Sequence, residues 1–306
     1  MIVRKNLKLK IIIKLQWKIL LISFLLGLIP TLLYYLGIQM EYTLGVPVSI
    51  LGTTLAFFIG FRNNNAYGRW WEARMIWGEL VNNSRSYAAE VLNLLSTNDS
   101  SFKDEDELKL IQRDLIYNEI GFVYALKTHL RKQPIEKEAK RFFSEKDWEE
   151  IAWQQNIPNA ILLQISRKLR HCFDMGYTDV HQYIQFDRKI NVFFDILGKC
   201  ERIKNTIFPR QYDYFAKMTF YVFLTMLPFS LVEHTKWLTI PVTMLIGFVF
   251  AVLTTIGQRI ETPFENDIND TPMSSISKTI EINLRQMLGE REGLPTPEPQ
   301  VDGFLF

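Results

Sequence analysis

Cysteine is scarce: Cys172 and Cys200 are the only two in 306 residues. Two thiols so far apart build neither a secreted disulfide framework nor a CxxC metal site, so the part that holds them is expected in a reducing compartment. Excess charge is also missing. Thirty-five basic against 33 acidic residues leave +2, which argues against a nucleic-acid binder with its basic stripe. With 48% apolar residues the chain is not disordered either. Catalytic signatures are absent as well. No GxGxxG joins a strand to a helix, no Walker loop exists, and no GxSxG elbow is present. The four histidines, His129, His171, His181 and His234, show no HxxxH or HExxH spacing. An enzyme is not expected.

What is present is unevenly distributed. The mean hydropathy of 0.00 averages two apolar stretches, 19–61 and 215–256, with a densely charged 62–214. Crossing a bilayer takes about 20 predominantly apolar residues. Ile19 to Ile38 supplies that length without a charge, and its Pro30 is tolerable in a membrane helix. Leu44 to Phe61 is a second run. Phe220 to Val232, extended back to Phe215, and Leu238 to Ile256 are a third and a fourth. The first run lacks a small-residue cleavage site and is not read as a signal peptide. Buried core helices would be the alternative, but four such runs in two hairpins are rare in soluble folds.

Basic residues flank the spans unequally. Arg4, Lys5, Lys8, Lys10, Lys14 and Lys18 precede the first, and Arg62, Arg69 and Arg74 follow the second. The link within the first hairpin carries only Glu41, and the link within the second is about neutral. Both termini and the middle region are therefore expected to be cytoplasmic. The predicted organisation is a basic segment 1–18, a hairpin 19–61, a helical cytosolic domain 62–214, a hairpin 215–256, an acidic turn and helix 257–290, and a tail 291–306. The fold class is all-α. Predicted helices cover Ala73–Leu95, Leu108–Leu130, a stretch capped at Ser144, one from Ile157 to Arg170, Asp179–Ile207 and Ser274–Leu288, with no strand pattern.

The second span differs from the others. Gly45, Ser49, Gly52, Thr53, Ala56 and Gly60 recur at three- and four-residue spacing on one helix face. Such a stripe permits close helix packing or lines a water-filled path. After the fourth span, Glu261, Glu265, Asp267 and Asp270 cluster. The cluster lacks an EF-hand's glycine and closing glutamate, and a solvated helix cap is its plainer reading.

The run Phe61-Arg62-Asn63-Asn64-Asn65-Ala66-Tyr67-Gly68-Arg69-Trp70-Trp71-Glu72-Ala73-Arg74 resembles the signature of the bestrophin family in its prokaryotic branch. Cys200-Glu201-Arg202-Ile203, Ile260-Glu261-Thr262-Pro263-Phe264 and Asp267-Ile268-Asn269-Asp270 agree with it in the same order. The resemblance implies a homopentameric ion channel in a bacterial inner membrane. Its partners would be the lipid bilayer and permeant small ions, with no nucleic acid and no cofactor. It places Thr53, Phe57 and Phe61 at a pore neck, with Gly45 and Ser49 continuing the pore-facing stripe. Thr53 departs from the family's usual hydrophobic level. Ile203 would form a cytosolic constriction. Asp267 and Asp270 match the calcium clasp of animal members, but Arg259 and Thr262 stand where the clasp has amides, so Ca²⁺ gating is not expected. Chloride or another anion is the permeant ion implied by the family, although some prokaryotic members favour monovalent cations. A four-span transporter or receptor without a continuous pore is the alternative.

Overall fold

A computed structural model describes residues 9–38, 44–96, 105–206 and 209–297, and every regular element among them is a helix. In chain order these are α1 (Leu9–Tyr35), α2 (Gly45–Leu94), α3 (Glu105–Leu130), the short α4 (Glu136–Ala139), α5 (Glu145–Ala152) and α6 (Ile157–Asp174). There follow α7 (Val180–Asn205), α8 (Arg210–Thr235), α9 (Thr239–Ile260) and α10 (Met273–Met287). Single 3₁₀ turns, Lys140–Phe142 and Lys236–Leu238, follow α4 and α8.

The chain divides into two compact units. The spanning unit contains α1, α2 up to Trp70, and Ile207–Thr262. The charged unit contains Trp71–Thr206 and the chain from Pro263 onward. The units change over at Trp70, Thr206 and Thr262, after, before and after the positions 61, 214 and 256 at which the spans were expected to give way to polar chain. Stretches long and apolar enough to cross a membrane lie in Leu15–Tyr35, Gly45–Leu94 and Gln211–Ile260, the last folded back at the Lys236 turn.

In the spanning unit α1 lies against α9 through small residues. Ser23, Thr31, Thr239 and Thr243 are completely buried. A Cβ at Gly27 would come within 3.1 Å of the Ile240 backbone. Lipid tails are as apolar as leucine, so close backbone approach, rather than a hydrophobic drive, holds such helices together. A second cluster, Val48, Leu55 and Ile59 of α2 with Phe220, Phe223, Leu224 and Leu227 of α8, joins those two helices.

Two helices are longer than the sequence pattern suggested. α1 starts at Leu9, inside the basic segment, where leucine, lysine and isoleucine suit a helix and no glycine or proline interrupts. α2 runs 50 residues without a break, about 75 Å at 1.5 Å per residue. The asparagine run after Phe61 continues the helix, and a tertiary bond helps hold it there. Asn63 Nδ2 donates to the Leu253 carbonyl at 3.0 Å, and its side chain sits where a Cβ on Gly257 would be.

The core of the charged unit gathers Trp77, Leu80 and Tyr87 from α2, Leu115, Ile116 and Phe122 from α3, Ile161 and Ile165 from α6, and Phe186 and Phe193 from α7. Ile280 and Leu284 come from α10. Local signals set its helix ends. The Ser144 hydroxyl accepts from the Asp147 amide, as the sequence suggested, and Asn156 accepts from Asn159. Asp179 and Gln182 form a reciprocal capping box. Gly176 supplies the positive φ (72°) that ends α6. Both cysteines are free and buried, and burial pushes the Cys172 thiol up to about 11. The Phe304-Leu305-Phe306 end of the tail lies outside the described residues.

Candidate pore-lining face

On the first turns of α2 an i, i+4 ladder, Gly45, Ser49, Thr53, Phe57 and Phe61, lies on the exposed side. Phe57 is 64% and Phe61 61% exposed, whereas Leu55 on the opposite side is 0% exposed. The ladder rises about 6 Å per level. The two rings touch, with centroids 5.2 Å apart and planes at 56°. The hydroxyls are turned inward. Thr53 Oγ1 donates to the Ser49 carbonyl at 2.9 Å, and Ser49 Oγ lies 3.1 and 3.0 Å from the Gly45 and Val46 carbonyls. Their protons are spent on the helix, so lone pairs face outward. The small residues of this span have two different jobs. Gly52 is a packing residue, since a Cβ there would meet the Phe223 ring at 3.0 Å, while Gly45 and Gly60 border open space.

Directly below Phe61 the polarity inverts. The Arg62 guanidinium is buried, with Nη1 2.6 Å from Asp213 Oδ1 and Nη2 3.0 Å from Glu261 Oε2. Lys217 Nζ reaches the other Asp213 oxygen at 2.6 Å, and Gln258 Nε2 donates to Asp213 at 3.1 Å. Two cations and two carboxylates thus balance at the foot of the face and tie α2, α8 and the end of α9 together.

This cluster was not legible in the sequence. Charge pairing after the second span suggests Arg69 or Arg74 as the partner of Glu72, Glu79 or an acidic residue after the fourth span. In the structure Glu72 is taken by Arg202 and Glu79 by Lys199 at 3.3 Å. Arg62 reaches beyond the fourth span, to Glu261. The available signal was the placement of Arg62 at the first step out of an apolar run, where an unpaired charge is costly.

Ile203, the residue expected at a cytosolic constriction, is 5% exposed and packs in the core of the charged unit. The apolar residues that α7 leaves exposed are Val180 (50%) and Ile184, at its other end.

Asp267 and Asp270 do come together, but around backbone. Asp270 Oδ2 accepts the Asp267 amide at 3.0 Å, and Asp267 Oδ1 accepts the Ile268 amide at 2.7 Å. Lys204 holds Glu265 at 2.7 Å. Burial raises the Asp270 carboxyl to about 6, against the opposing pull of backbone amides. Among the described residues no group of three or more His, Cys, Asp or Glu side chains is placed to hold a metal ion.

An all-helical membrane protein with an exposed ladder of small and aromatic side chains on one helix is the class these features define. The bacterial and fungal bestrophin family profile matches residues 2–286, and the chain belongs to that family. It is 33% identical over 275 residues to the voltage-dependent anion channel-forming protein YneE of Escherichia coli K12, covering 89% of this chain and 86% of that protein. A Nostoc protein of the same description, alr2987, is 33% identical over 85% of this chain and 82% of its own length. A crystal structure of a bacterial bestrophin homologue from Klebsiella pneumoniae superposes with a TM-score of 0.81 at 29% identity, over 89% and 98% of the two chains. The family is one of ion channels and not of enzymes, and its fold agrees with this helical one.

Proposed function

We propose that five copies of this chain assemble around an axis lined by the exposed face of α2 and pass chloride or a similar small anion down its gradient. The observation that carries this reading is the ladder itself. Phe57 and Phe61 stand exposed in contact on one line, on a helix whose opposite face is packed. Large exposed rings on a span face either lipid or a lumen, and the serine, threonine and glycine levels above them suit a lumen better than lipid. Aromatic ring edges are electropositive and favour an anion at the narrow levels. A neck of this kind gates by dewetting, without charge. The chain would sit in the bacterial inner membrane with both termini cytoplasmic, as the basic flanks of the spans indicate.

One observation favours a cation instead. Ser49 and Thr53 turn their hydroxyl protons to the helix backbone and so offer oxygen lone pairs outward, which suits a monovalent cation. Purified protein in planar bilayers decides between these readings. Current with a chloride reversal potential supports the anion channel, a potassium or sodium reversal supports the cation channel, and verified assemblies without current overturn both.

A further inference from the structure

In the charged unit, far along α2 from the ladder, one carboxyl group has no counter-charge among the described residues. Glu119, in the middle of α3, has 0% exposure, as does Ser84 on α2. Their side chains meet at 2.5 Å, Ser84 Oγ to Glu119 Oε1, and the other carboxyl oxygen is buried with no hydrogen-bond partner. Ser84 Oγ also lies 2.8 Å from the Leu80 carbonyl. A serine hydroxyl has one proton. If that proton goes to Leu80, as is usual for a helical serine, the contact with Glu119 holds only when the carboxyl carries a proton and donates it to Ser84 Oγ. An ionised Glu119 would put two acceptors on one donor and leave a buried charge unpaired, which is strongly unfavourable.

Among the described residues no cation acts on Glu119, which feels only its burial and Ser84. The groups that act with Glu119 on the neighbouring Tyr87 of α2 are Glu90 of α2, Asp114 of α3 and Cys172 of α6, none of them a cation. Lys168 of α6 is held by Asp114 at 2.5 Å and Asp147 at 2.9 Å, and Lys189 of α7 by Glu90 at 3.5 Å. Burial is the largest influence on the Glu119 proton and raises the carboxyl to about 8.

We propose that Glu119 is a proton-dependent lock between α2 and α3: as a neutral acid it bonds Ser84, and loss of its proton loosens that helix pair. The sign follows from linkage. In an opened state the carboxyl has an ordinary pKa of about 4.3, so between about 4.3 and 8 only the closed state holds the proton. Opening then releases a proton and becomes easier as pH rises, and the dependence stops above about 8, where both states are ionised. The device does not depend on what the channel conducts.

The test is hydrogen exchange of the α2 and α3 amides around Ser84 and Glu119 in the full-length protein, corrected for intrinsic exchange, from pH 5.5 to 9. Wild type is expected to open about tenfold more per pH unit, equivalent to about 1.4 kcal/mol, levelling near pH 8. Glu119→Gln, which imitates the neutral acid, is expected to be flat. Parallel profiles for the two proteins overturn the proposal. Should Glu119→Gln fail to fold, infrared titration of wild type decides, with Ser84→Ala assigning the band. A protonated carboxyl present at pH 7 and lost near pH 8 supports the lock, and one already ionised at pH 6 overturns it.

Discussion

Arg62 and Asp213 meet at 2.6 Å at the point where the second span gives way to polar chain. The same guanidinium holds Glu261, so one side chain joins three helices. Its planar fork allows two partners at once, which a lysine does not match. Arg62→Ala is expected to destabilise the protein by about 3–5 kcal/mol, because it leaves Glu261 without a partner in a partly buried place. Arg62→Lys should fall between that variant and wild type. Arg62→Gln combined with Glu261→Gln should recover much of the loss. Thermal unfolding in detergent measures all three; a loss below 1 kcal/mol, on the order of a surface pair, would show that the cluster is decorative.

Phe57→Ala and Phe61→Ala are each expected to raise single-channel conductance or open probability, since each removes a ring from the exposed ladder. Stability should change little by comparison. Leu55→Ala and Ile59→Ala, on the buried side of the same helix, should do the opposite: about 2 kcal/mol or more of lost packing with conductance unchanged in the molecules that still assemble. Currents through size-verified assemblies check both. Equal currents for wild type and both phenylalanine variants would remove α2 from the pore.

Much of this could be read from the residues. Four uncharged runs gave the spans, Ser144 and Asp179 gave helix starts, and Arg69-Trp70-Trp71 carried the family. What escaped reading is tertiary. Nothing local says that the asparagines after Phe61 continue a helix, because the Leu253 carbonyl that helps stabilise them lies 190 positions away. Glu119, buried with only the Ser84 hydroxyl as partner, has neighbours in sequence no different from those of a surface glutamate. Glu281 is similar: it is buried where Tyr124 donates to it at 2.7 Å and Arg141 reaches it at 2.9 Å. The burial of Ile203 was not legible either, because proximity to a family motif says which helix a residue is on, but not which face it shows.

The buried position of Ile203 makes its own prediction. Ile203→Ala should cost about 2–5 kcal/mol through the cavity it leaves, with single-channel conductance of surviving assemblies at the wild-type level. Val180→Ala, at an exposed position, should leave stability within about 0.5 kcal/mol. Chemical unfolding alongside bilayer recording distinguishes the two positions. An unchanged stability with altered conductance in Ile203→Ala would return that residue to the pore.

Calcium is not expected to open this channel. Ca²⁺ takes six to eight oxygens, yet the carboxylates after the fourth span are already engaged. Asp270 and Asp267 accept backbone amides, and Lys204 holds Glu265. The Asp270 carboxyl, raised to about 6 chiefly by burial, adds a pH effect with a defined sign. Its unfolded value is about 3.9, so between about 3.9 and 6 the folded state alone keeps the proton, and stability falls as pH rises through that window and levels off above 6. Asp270→Asn keeps an oxygen for the Asp267 amide and carries no charge. It should therefore be flat across the window where wild type slopes, and more stable than wild type at pH 7. Melting temperatures from pH 4.5 to 7.5, with and without millimolar Ca²⁺, test both statements together. Melting temperatures unmoved by Ca²⁺ and a slope that vanishes in Asp270→Asn are expected, together with flat open probability in bilayer recordings on adding Ca²⁺; Ca²⁺-dependent stabilisation lost in Asp267→Ala would instead establish a metal site where the structure places a backbone cap.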